Sequence, residues 1–360
     1  MFSGANIQVG AGRYFQHSGA LKVIGEECLY WGNKVYIVTD EIVWAKTGKI
    51  VTESLRTAGV PYVLDIVNAP SCQHTFEQVA ASSIKNDADV FVGLGGGRVI
   101  DIAKGASKEA DCRIITAPTS AATCSAYTIL YVSYGNDGSV LGSLFMDREA
   151  SAVLTDINVV IGDCQERYLI SGIADAMAKK PEFAFTMMHI GEDSELCTSH
   201  IAANIADYTY NYYLNHTHEA LEDFRAGRCS DTLENVVCAN IMLTGMVSNL
   251  STGGKQLAIA HNVYDAVCYQ HKSVREQYLH GEIVGLALPL QLAVNGSSSA
   301  EIREMRDFLK SIGVPTSLKA IGVPTDGDTV ETMIKYTHFK TDPDDIILLE
   351  QIRDSFSEIL

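Results

Sequence analysis

The chain has 360 residues and a formal net charge of −17 at pH 7, with 27 Lys and Arg residues against 44 Asp and Glu residues. This negative surplus argues against nucleic acid or an anionic membrane as a partner, because both are polyanions. It permits an anionic substrate, since a local cation can dominate the field of a site. Hydrophobic residues make up 47% and charged residues 20%, which is typical of a globular enzyme, and no apolar run approaches the roughly 20 residues that cross a bilayer.

Length and cysteine usage indicate the organisation and the compartment. A chain of 360 residues exceeds what one hydrophobic core usually serves, so we expect two domains. The nine Cys residues are scattered, without a C-x-x-C pair, and this favours reduced thiols and a cytoplasmic location. The first fifteen residues lack a basic region followed by an apolar stretch, so we expect no secretory signal there.

The first half of the chain alternates short apolar runs with amphipathic stretches. We predict strands over residues 34–40, 62–67, 89–94 and 113–117. We predict helices over residues 41–58, 75–85 and 98–109. Strands separated by helices of this length are typical of βαβ units on a parallel sheet. The N-terminal part is therefore expected to be an α/β domain with a Rossmann-like sheet.

The sequence changes character after about Asp163. Before it, residues 131–134 and 140–145 flank Gly135-Asn136-Asp137-Gly138, a pattern that predicts a β-hairpin with a tight turn. After it, long periodic helical segments are broken by Gly and Pro, for example at Gly253-Gly254. We therefore predict an α/β domain over residues 1–163 and an all-helical domain over residues 164–360.

A glycine-rich turn, residues 93–97, follows the strand predicted at 89–94 and opens the next helix. Glycines there allow the backbone to approach a pyrophosphate at a helix N-terminus, although an ordinary βα turn also uses them. The turn is not G-x-G-x-x-G, and it follows the third predicted strand rather than the first. Asp40 closes the first strand, where a carboxylate either accepts hydrogen bonds from an adenosine ribose and disfavours a 2′-phosphate, or caps the next helix.

Three motifs together resemble the superfamily of iron-containing alcohol dehydrogenases and glycerol dehydrogenases. Residues 95–104 (GGGRVIDIAK) resemble its GGGS-x-x-D-x-AK signature, residues 118–123 (PTSAAT) its PT-x-x-x-T/S segment, and residues 40–43 its DEIV stretch. The resemblance implies an NAD site, with NADP as the alternative cofactor. Asp40 would hold the ribose, the amide of Arg98 the pyrophosphate, and Thr119 the adenine side. The full implied set is Asp40, Gly96, Gly97, Arg98, Asp101, Thr119 and, beside the nicotinamide, Thr128, Leu130 and Tyr134. The Arg98 side chain, where relatives have Ser or Lys, either contacts phosphate or points to solvent.

The second half of the chain offers one carboxylate and two imidazoles in three separate segments. Asp175 lies in SGIADAMAK, His261 ends GGKQLAIAH, and His280 lies in YLHGEIVG. Such a set leaves a coordination position open for a substrate oxygen, as catalytic metal sites require. The two histidines are 19 residues apart, so only a helical hairpin would bring them together, and a single His more often has a core or surface role. The segments resemble the family's G-x-x-DA-x-AK, AAAH-x-x-x-N and LHGE-x-V, which implies that all three residues bind Zn²⁺ or Fe²⁺; mixed N/O ligation does not choose between these metals.

Three positions depart from the glycerol dehydrogenase pattern. Cys124 replaces an Asp that contacts the polyol, and its context, AATCSAYT, resembles the AATC-AAWT of hydroxycarboxylate dehydrogenases, which reduce 2-oxo acids. Tyr264 stands where many relatives have a second His, so a phenol would replace an imidazole in a proton relay. Both are candidate catalytic residues. Pro181, in KKPE where relatives have KWYE, is expected to bend or restart its helix and so to alter the pocket or weaken the metal site.

The resemblance implies a metal-dependent oxidoreductase that transfers a hydride between NAD(P) and the carbinol carbon of a small molecule. The implied substrates are a small alcohol, a glycerol-like polyol or a 2-hydroxycarboxylate, with the corresponding ketone or 2-oxo acid, and relatives are commonly homo-oligomers. Two alternatives stay open. A dehydroquinate-synthase-like lyase would need extra basic residues to bind a phosphate and a carboxylate, and the helical half is poor in Lys and Arg. A catalytically silent NAD-binding relative would account for Cys124, Tyr264 and Pro181.

Overall fold

The computed structural model describes residues 8–135, 140–162, 164–189, 196–251 and 258–360. The chain forms two compact units. The sheet unit consists of Met1–Leu169 and Glu219–Asn249, and the helical unit of Ile170–His218 and Leu250–Leu360. This division differs from the predicted boundary, because residues 164–169 and the helical segment 219–249 pack with the sheet unit. Asp163, Gly253-Gly254 and the hairpin turn at residues 136–138 lie outside the described residues.

The sheet unit is built on a parallel sheet with the strand order β1-β8-β5-β4-β2-β3. The strands are β1 Tyr14–His17, β2 Val35–Thr39, β3 Tyr62–Ile66, β4 Val90–Gly95, β5 Arg113–Pro118, β6 Leu130–Tyr134, β7 Val140–Phe145 and β8 Ala152–Asp156. The four predicted strands are confirmed, as are the two antiparallel strands β6 and β7 of the hairpin. The sequence did not indicate β1 or β8.

The helices follow the strands in the first half and dominate the second. They are α1 Ile24–Leu29, α2 Glu41–Ala58, α3 Gln73–Lys85, α4 Gly97–Glu109, α5 Ile157–Gly162, α6 Glu166–His189, α7 Cys197–Arg225, α8 Asp231–Cys238, α9 Thr244–Leu250, α10 Ile259–Gln270, α11 Lys272–Gln277, α12 His280–Leu286, α13 Leu288–Val294, α14 Ser299–Ser311, α15 Gly327–Thr341 and α16 Ile346–Ser355. A π-helical turn, Ala239–Leu243, joins α8 to α9. None of the helices in the described residues is both long and apolar enough to span a membrane.

The central strands are buried on both faces, which explains their continuous apolar sequences. Every residue of β2 and β4 is buried. One face packs with α1 and α2 in a cluster that includes Ile24, Leu55 and Ile37. On α4, Gly105 leaves room for the ring of Phe76 on α3, because a Cβ there would lie 2.5 Å from that ring.

The strand order creates a switch point at the carboxyl ends of β2 and β4. The chain moves from β2 outward to β3, then returns across β2 to β4 and continues to β5. In open α/β sheets a ligand crevice lies where the strand order reverses. Asp40 follows β2 and Gly96 follows β4, so the sheet brings these two predicted residues to the same edge.

The helical unit packs α12 closely against α6. A Cβ on Gly281 would lie 1.8 Å from the carbonyl oxygen of Ser171, and one on Gly285 would lie 2.8 Å from the Cβ of Ala174. Only glycine permits this approach without displacing one of the helices. Pro181 lies inside α6, which continues to His189. The expectation that Pro181 restarts the helix is therefore wrong, because the helical backbone continues through it.

Candidate metal centre and dinucleotide edge

The helical unit brings Asp175, His261 and His280 together. Their candidate ligand atoms all lie within 4.8 Å of one another. Nε2 of His261 lies 3.2 Å and Nε2 of His280 3.5 Å from Oδ1 of Asp175. The two histidines lie on α10 and α12, and these helices contact each other. A pair of packed helices was what the separation of 19 residues required for the histidines to meet.

Local interactions fix the start of α12, where His280 is the first residue. The Leu279 amide donates to Oε2 of Glu282 at 2.7 Å. The Gly281 amide donates to Oγ of Ser171 at 3.1 Å. Because Ser171 lies one turn before Asp175 on α6, these contacts hold His280 beside the carboxylate.

The other ring nitrogen of His261 contacts a buried carboxylate. Nδ1 lies 2.6 Å from Oε2 of Glu182, a residue with no exposed surface. A carboxylate accepts hydrogen bonds, so Nδ1 carries the proton and Nε2 presents its lone pair in the neutral imidazole. That lone pair faces Oδ1 of Asp175, which is also an acceptor. The close approach requires a proton or a metal ion between the two atoms.

Neighbouring charged groups determine the protonation states of Asp175 and His261. Burial would raise the pKa of the Asp175 carboxyl, but Lys179, His280 and His261 hold it well below its usual value. Burial and the positive charge of Lys179 lower the pKa of His261. Glu182 and Asp175 have the larger effect and raise this pKa to about 9. In the metal-free protein, Asp175 is therefore ionised and His261 is protonated at neutral pH.

The residues fit a divalent metal. Oδ1 of Asp175 is buried and accepts no hydrogen bond of good geometry from the described residues. Two ligand atoms on a tetrahedral metal, each about 2.0–2.1 Å from the ion, lie about 3.3 Å apart. The two N–O distances, 3.2 and 3.5 Å, match this value. A His–Asp–His donor set suits either Zn²⁺ or Fe²⁺.

Tyr264 and Asp265 extend the surroundings of the two histidines. Tyr264, one turn after His261, is 8% exposed, and its ring meets the His280 ring edge-on with centroids 4.3 Å apart. Asp265 has a pKa raised by burial, while Lys340 and both histidines oppose the increase. Tyr264 therefore contacts a proposed ligand directly.

At the dinucleotide edge, Asp40 is the N-cap of α2 and lies beside Arg98. Oδ1 of Asp40 accepts from the Val43 amide at 2.9 Å, and Oδ2 lies 4.0 Å from Nη2 of Arg98. The Arg98 side chain also donates to the Ala69 carbonyl at 2.8 Å. The capping role of Asp40 is confirmed. Its other oxygen lies beside Arg98, and its contact with a ribose stays a prediction. The Arg98 side chain is 44% exposed and makes these two contacts, so its contact with phosphate stays a prediction.

Gly96 and Gly97 begin α4 without a capping side chain. A Cβ on Gly96 would meet no atom within 4 Å, and one on Gly97 would lie 3.3 Å from Oγ1 of Thr123. The first-turn amides of a helix lack intrahelical partners and attract anions. This arrangement suits the pyrophosphate of a dinucleotide.

Asp101 and Lys104, on the next turns of α4, hold the segment that follows β5. Oδ1 of Asp101 accepts from Oγ of Ser125 at 2.6 Å. Nζ of the fully buried Lys104 donates to the carbonyls of Ser125, Thr128 and Leu130, the last two at 2.6 and 2.8 Å. Burial raises the pKa of Asp101 to about 6 and lowers that of Lys104 to about 8, while the two charges oppose these shifts in each other. Asp101 thus supports the proposed nicotinamide-side residues through its neighbours, and its carboxylate is enclosed.

The remaining predicted residues occupy the same part of the sheet unit. Cys124 is half-buried, and its carbonyl accepts from the Tyr127 and Thr128 amides at 2.9 and 3.2 Å. The Thr119 amide donates to the Gly95 carbonyl at 3.1 Å, and the Tyr134 amide to the Ser71 carbonyl at 2.8 Å. The side chain of Thr128 is buried and bonds to Leu130, so it contributes to the shape of this segment from within.

Three buried polar residues that the sequence did not single out support these sites. They are Lys104, Glu182 and Gln291. A charged or amide side chain in an otherwise small or apolar helical stretch is the signal that could have revealed them. Buried polar groups require partners, so each one marks a point where separate segments meet.

Comparison with known proteins agrees with this architecture. Residues 11–156 match the family model of iron-containing alcohol dehydrogenases. The chain is similar to iron-containing alcohol dehydrogenases in this N-terminal part and to curated dehydrogenases and reductases over most of its length. It is 28% identical over 307 residues to glycolaldehyde reductase of Halobacterium salinarum, covering 85% of this chain and 82% of the relative. It is 26% identical over 345 residues to glycerol dehydrogenase of Thermotoga maritima, covering 93% and 90%.

A third relative and two solved structures complete the comparison. Hydroxycarboxylate dehydrogenase A of Escherichia coli is 27% identical over 321 residues, covering 87% of this chain and 84% of the relative. A probable glycerol dehydrogenase from Sinorhizobium meliloti superposes with a TM-score of 0.85, 23% identity and 98% of each chain covered. Glycerol dehydrogenase from Schizosaccharomyces pombe superposes with a TM-score of 0.86 and 21% identity, covering 99% of this chain and 90% of that one. These superpositions confirm the expected fold.

Proposed function

We propose that the protein is an NAD-dependent dehydrogenase whose metal ion is held by Asp175, His261 and His280. The observation that carries the proposal is the buried Oδ1 of Asp175 facing two Nε2 atoms at 3.2 and 3.5 Å. Together with the similarity to iron-containing alcohol dehydrogenases and glycerol dehydrogenases, this geometry supports an oxidoreductase that acts on CH–OH groups. The reaction transfers a hydride between the carbinol carbon of a small molecule and the nicotinamide.

Two of the proposed ligand side chains are charged or oriented in a way that suits a cation. Asp175 is kept ionised mainly by Lys179. Glu182 holds Nδ1 of His261, so that Nε2 faces Asp175 and can exchange its proton for a metal ion. When bound, a divalent metal supplies Lewis acidity that lowers the pKa of a substrate hydroxyl. We assign to Tyr264, which contacts His280, the role of relaying the proton that the hydroxyl releases: the phenol oxygen takes up this proton as the phenol passes its own proton on toward bulk water.

The sheet unit would hold the cofactor. Gly96 and Gly97 provide uncapped amides for the pyrophosphate, and Oδ2 of Asp40 would accept from the ribose hydroxyls. A ribose 2′-phosphate would place its negative charge beside Asp40, so NAD is the preferred cofactor. NAD supplies the hydride acceptor when bound.

For the substrate, we propose a small hydroxylated carbonyl compound or its alcohol, either a polyol or a 2-hydroxycarboxylate. The relatives are named for glycolaldehyde, glycerol and hydroxycarboxylates. Cys124 replaces the Asp that contacts the polyol in glycerol dehydrogenases, which favours a substrate other than glycerol. We place the reaction in the cytoplasm.

A metal analysis combined with a substrate panel tests the proposal. We expect about one Zn²⁺ or Fe²⁺ per chain, NAD reduction with at least one polyol or 2-hydroxy acid, and loss of both properties in His261→Ala. His200→Ala is the matched control, because His200 lies exposed on α7. Full turnover in His261→Ala or after complete chelation would refute the metal assignment. Tight NAD binding by a metal-free, inactive wild-type protein would instead support the silent relative.

A further inference from the structure

A closed network of buried hydrogen bonds surrounds the first turn of α10, where His261 lies. The first-turn amides of a helix have no partners within it. Those of Ile259 and Ala260 donate to Oε1 of Gln291 at 2.8 and 3.3 Å. Those of Ala258 and His261 both donate to Oε1 of Glu182 at 2.9 Å. Two fully buried side chains therefore satisfy this helix terminus.

The same network continues from Gln291 to Pro181, the residue before Glu182. Nε2 of Gln291 donates to Oδ1 of Asn295 at 2.8 Å, and Nδ2 of Asn295 donates to the Pro181 carbonyl at 2.8 Å. The circuit passes from α6 through α13 to the start of α10 and back to α6. Each of its side chains has its polar atoms paired within the circuit, which restricts the orientation of Glu182.

The two carboxylate oxygens of Glu182 have separate tasks. Oε1 caps the helix, and a negative charge at a helix N-terminus is stabilised by the helix dipole. Oε2 lies 2.6 Å from Nδ1 of His261. Because Oε1 is fixed by two backbone amides of the same turn, Oε2 meets the imidazole in one geometry only.

We propose that Glu182 is a positioning residue that selects the Nδ1–H tautomer of His261 and thereby makes Nε2 its metal-binding atom. This inference rests on the proposed function for the metal alone. A hydrogen-bonded carboxylate behind a ligating imidazole fixes the ring and raises its basicity, and loss of such a partner weakens metal affinity by about 10–100-fold. Glu182 does not touch the substrate or the metal in this assignment.

The substitution Glu182→Gln separates the two tasks. The Gln carbonyl oxygen can still accept from Ala258 and His261, so the helix cap is retained. Its amide nitrogen would donate to Nδ1 of His261, which moves the imidazole proton to Nε2 and blocks ligation. We therefore expect a metal Kd about 10–100-fold higher. The Tm of the metal-free protein should also fall, because the buried pair of Glu182 with the protonated His261 is lost, so the comparison with Gln291→Leu separates the effect on metal binding from the effect on stability.

Gln291→Leu is the matched control. It removes the other cap of the same turn, from Ile259 and Ala260, and leaves the contact between Glu182 and His261 in place. We expect its Tm to fall, because it leaves buried amides unpaired, while its metal Kd stays within about threefold of wild type. Asn295→Ala, which opens the circuit at the Pro181 carbonyl, provides a milder variant, and Glu182→Asp provides a second test at position 182 with the charge retained.

The measurements are the Kd for Zn²⁺ by competition with a chromophoric chelator and the visible spectrum of the Co²⁺-substituted protein. The expected result is weaker Zn²⁺ binding and an altered Co²⁺ spectrum in Glu182→Gln, with partial recovery in Glu182→Asp. Unchanged Kd and spectrum in Glu182→Gln would overturn the inference. So would an equal loss of affinity in Gln291→Leu and Asn295→Ala, which would mean that Glu182 acts only through stability. Failure of the wild-type protein to bind either Zn²⁺ or Fe²⁺ would contradict the proposed function itself, and this inference with it.

Discussion

Nε2 of His261 lies 3.2 Å from Oδ1 of Asp175, so two atoms that both carry lone pairs in the neutral imidazole and the carboxylate face each other in a buried setting. A shared proton or a metal ion resolves this arrangement. In the metal-free protein the pKa of His261 is raised to about 9, with burial opposed by Glu182 and Asp175. Metal and proton therefore compete for the same position.

The first prediction is that metal affinity falls as pH falls. Below pH 9, His261 carries a proton that a metal must displace, so each unit decrease in pH should raise the Kd about tenfold. Isothermal titration with Zn²⁺ in buffers of different ionisation enthalpy should report about one proton released from His261 at pH 7. A Kd that is constant between pH 6 and 8 would contradict the competition.

The second prediction concerns cofactor choice. Asp40→Asn keeps an oxygen for the Val43 amide, because Asn caps helices as well as Asp does. It removes the charge that repels a 2′-phosphate and frees Arg98 from its ion pair. We expect the ratio of kcat/KM for NADP to that for NAD to rise about tenfold or more, which corresponds to about 1.4 kcal/mol.

Glu41→Gln is the control for this experiment. It removes the same charge from the adjacent residue, which is exposed on the first turn of α2. Its cofactor ratio should match that of the wild type. An equal change in both variants would mean that general surface charge, and not Asp40, sets the preference.

The third prediction concerns the close contact between α6 and α12. A Cβ in Gly281→Ala would lie 1.8 Å from the Ser171 carbonyl oxygen, so one helix must move. We expect a loss of about 1–3 kcal/mol in the free energy of unfolding and a weaker affinity for Zn²⁺, because His280 is displaced from Asp175. Gly327→Ala, at a position where a Cβ meets no atom within 4 Å, should leave both quantities unchanged in urea unfolding and chelator competition.

The fourth prediction concerns Lys104. Lys104→Met removes the ammonium that donates to the carbonyls of Ser125, Thr128 and Leu130 and takes away the positive charge beside Asp101. We expect the free energy of unfolding to fall by about 3 kcal/mol and the Kd for NADH, measured by fluorescence, to rise. Lys108→Met, one turn later and partly exposed, is the control and should change neither by more than about 0.5 kcal/mol.

The sequence predicted the central strands and helices because each had a clear apolar period. Helix α2 matches its predicted bounds, since Asp40 and Gly59 mark its two ends. Strand β1 has the sequence YFQH and lies at the edge of the sheet. It is partly polar, so its sequence shows no apolar alternation that would distinguish it from a loop. The packing of residues 219–249 with the sheet unit depends on tertiary contacts that no local pattern encodes.

The candidate site, too, has residues that the sequence predicted and residues that it did not. Asp175, His261 and His280 could be named from motifs, and their convergence follows from the packing of α6, α10 and α12. The role of Glu182 could not be inferred, because its partner lies 79 positions away. Pro181 was expected to bend or restart its helix and so to alter the pocket or weaken the metal site. The helix continues through it, and its carbonyl accepts from Asn295, a contact that the sequence did not indicate.

The ammonium of Lys104 also determines how ordered the proposed cofactor site is before a ligand binds. By joining the carbonyls of Ser125, Thr128 and Leu130, it fixes the segment between β5 and β6 before any dinucleotide arrives. Ordering a mobile loop on binding costs conformational entropy for every residue that is immobilised. Here the segment is already ordered when the protein folds. We therefore expect NAD to bind with a small loss of conformational entropy. We also expect that no rearrangement of this segment limits the association rate of NAD.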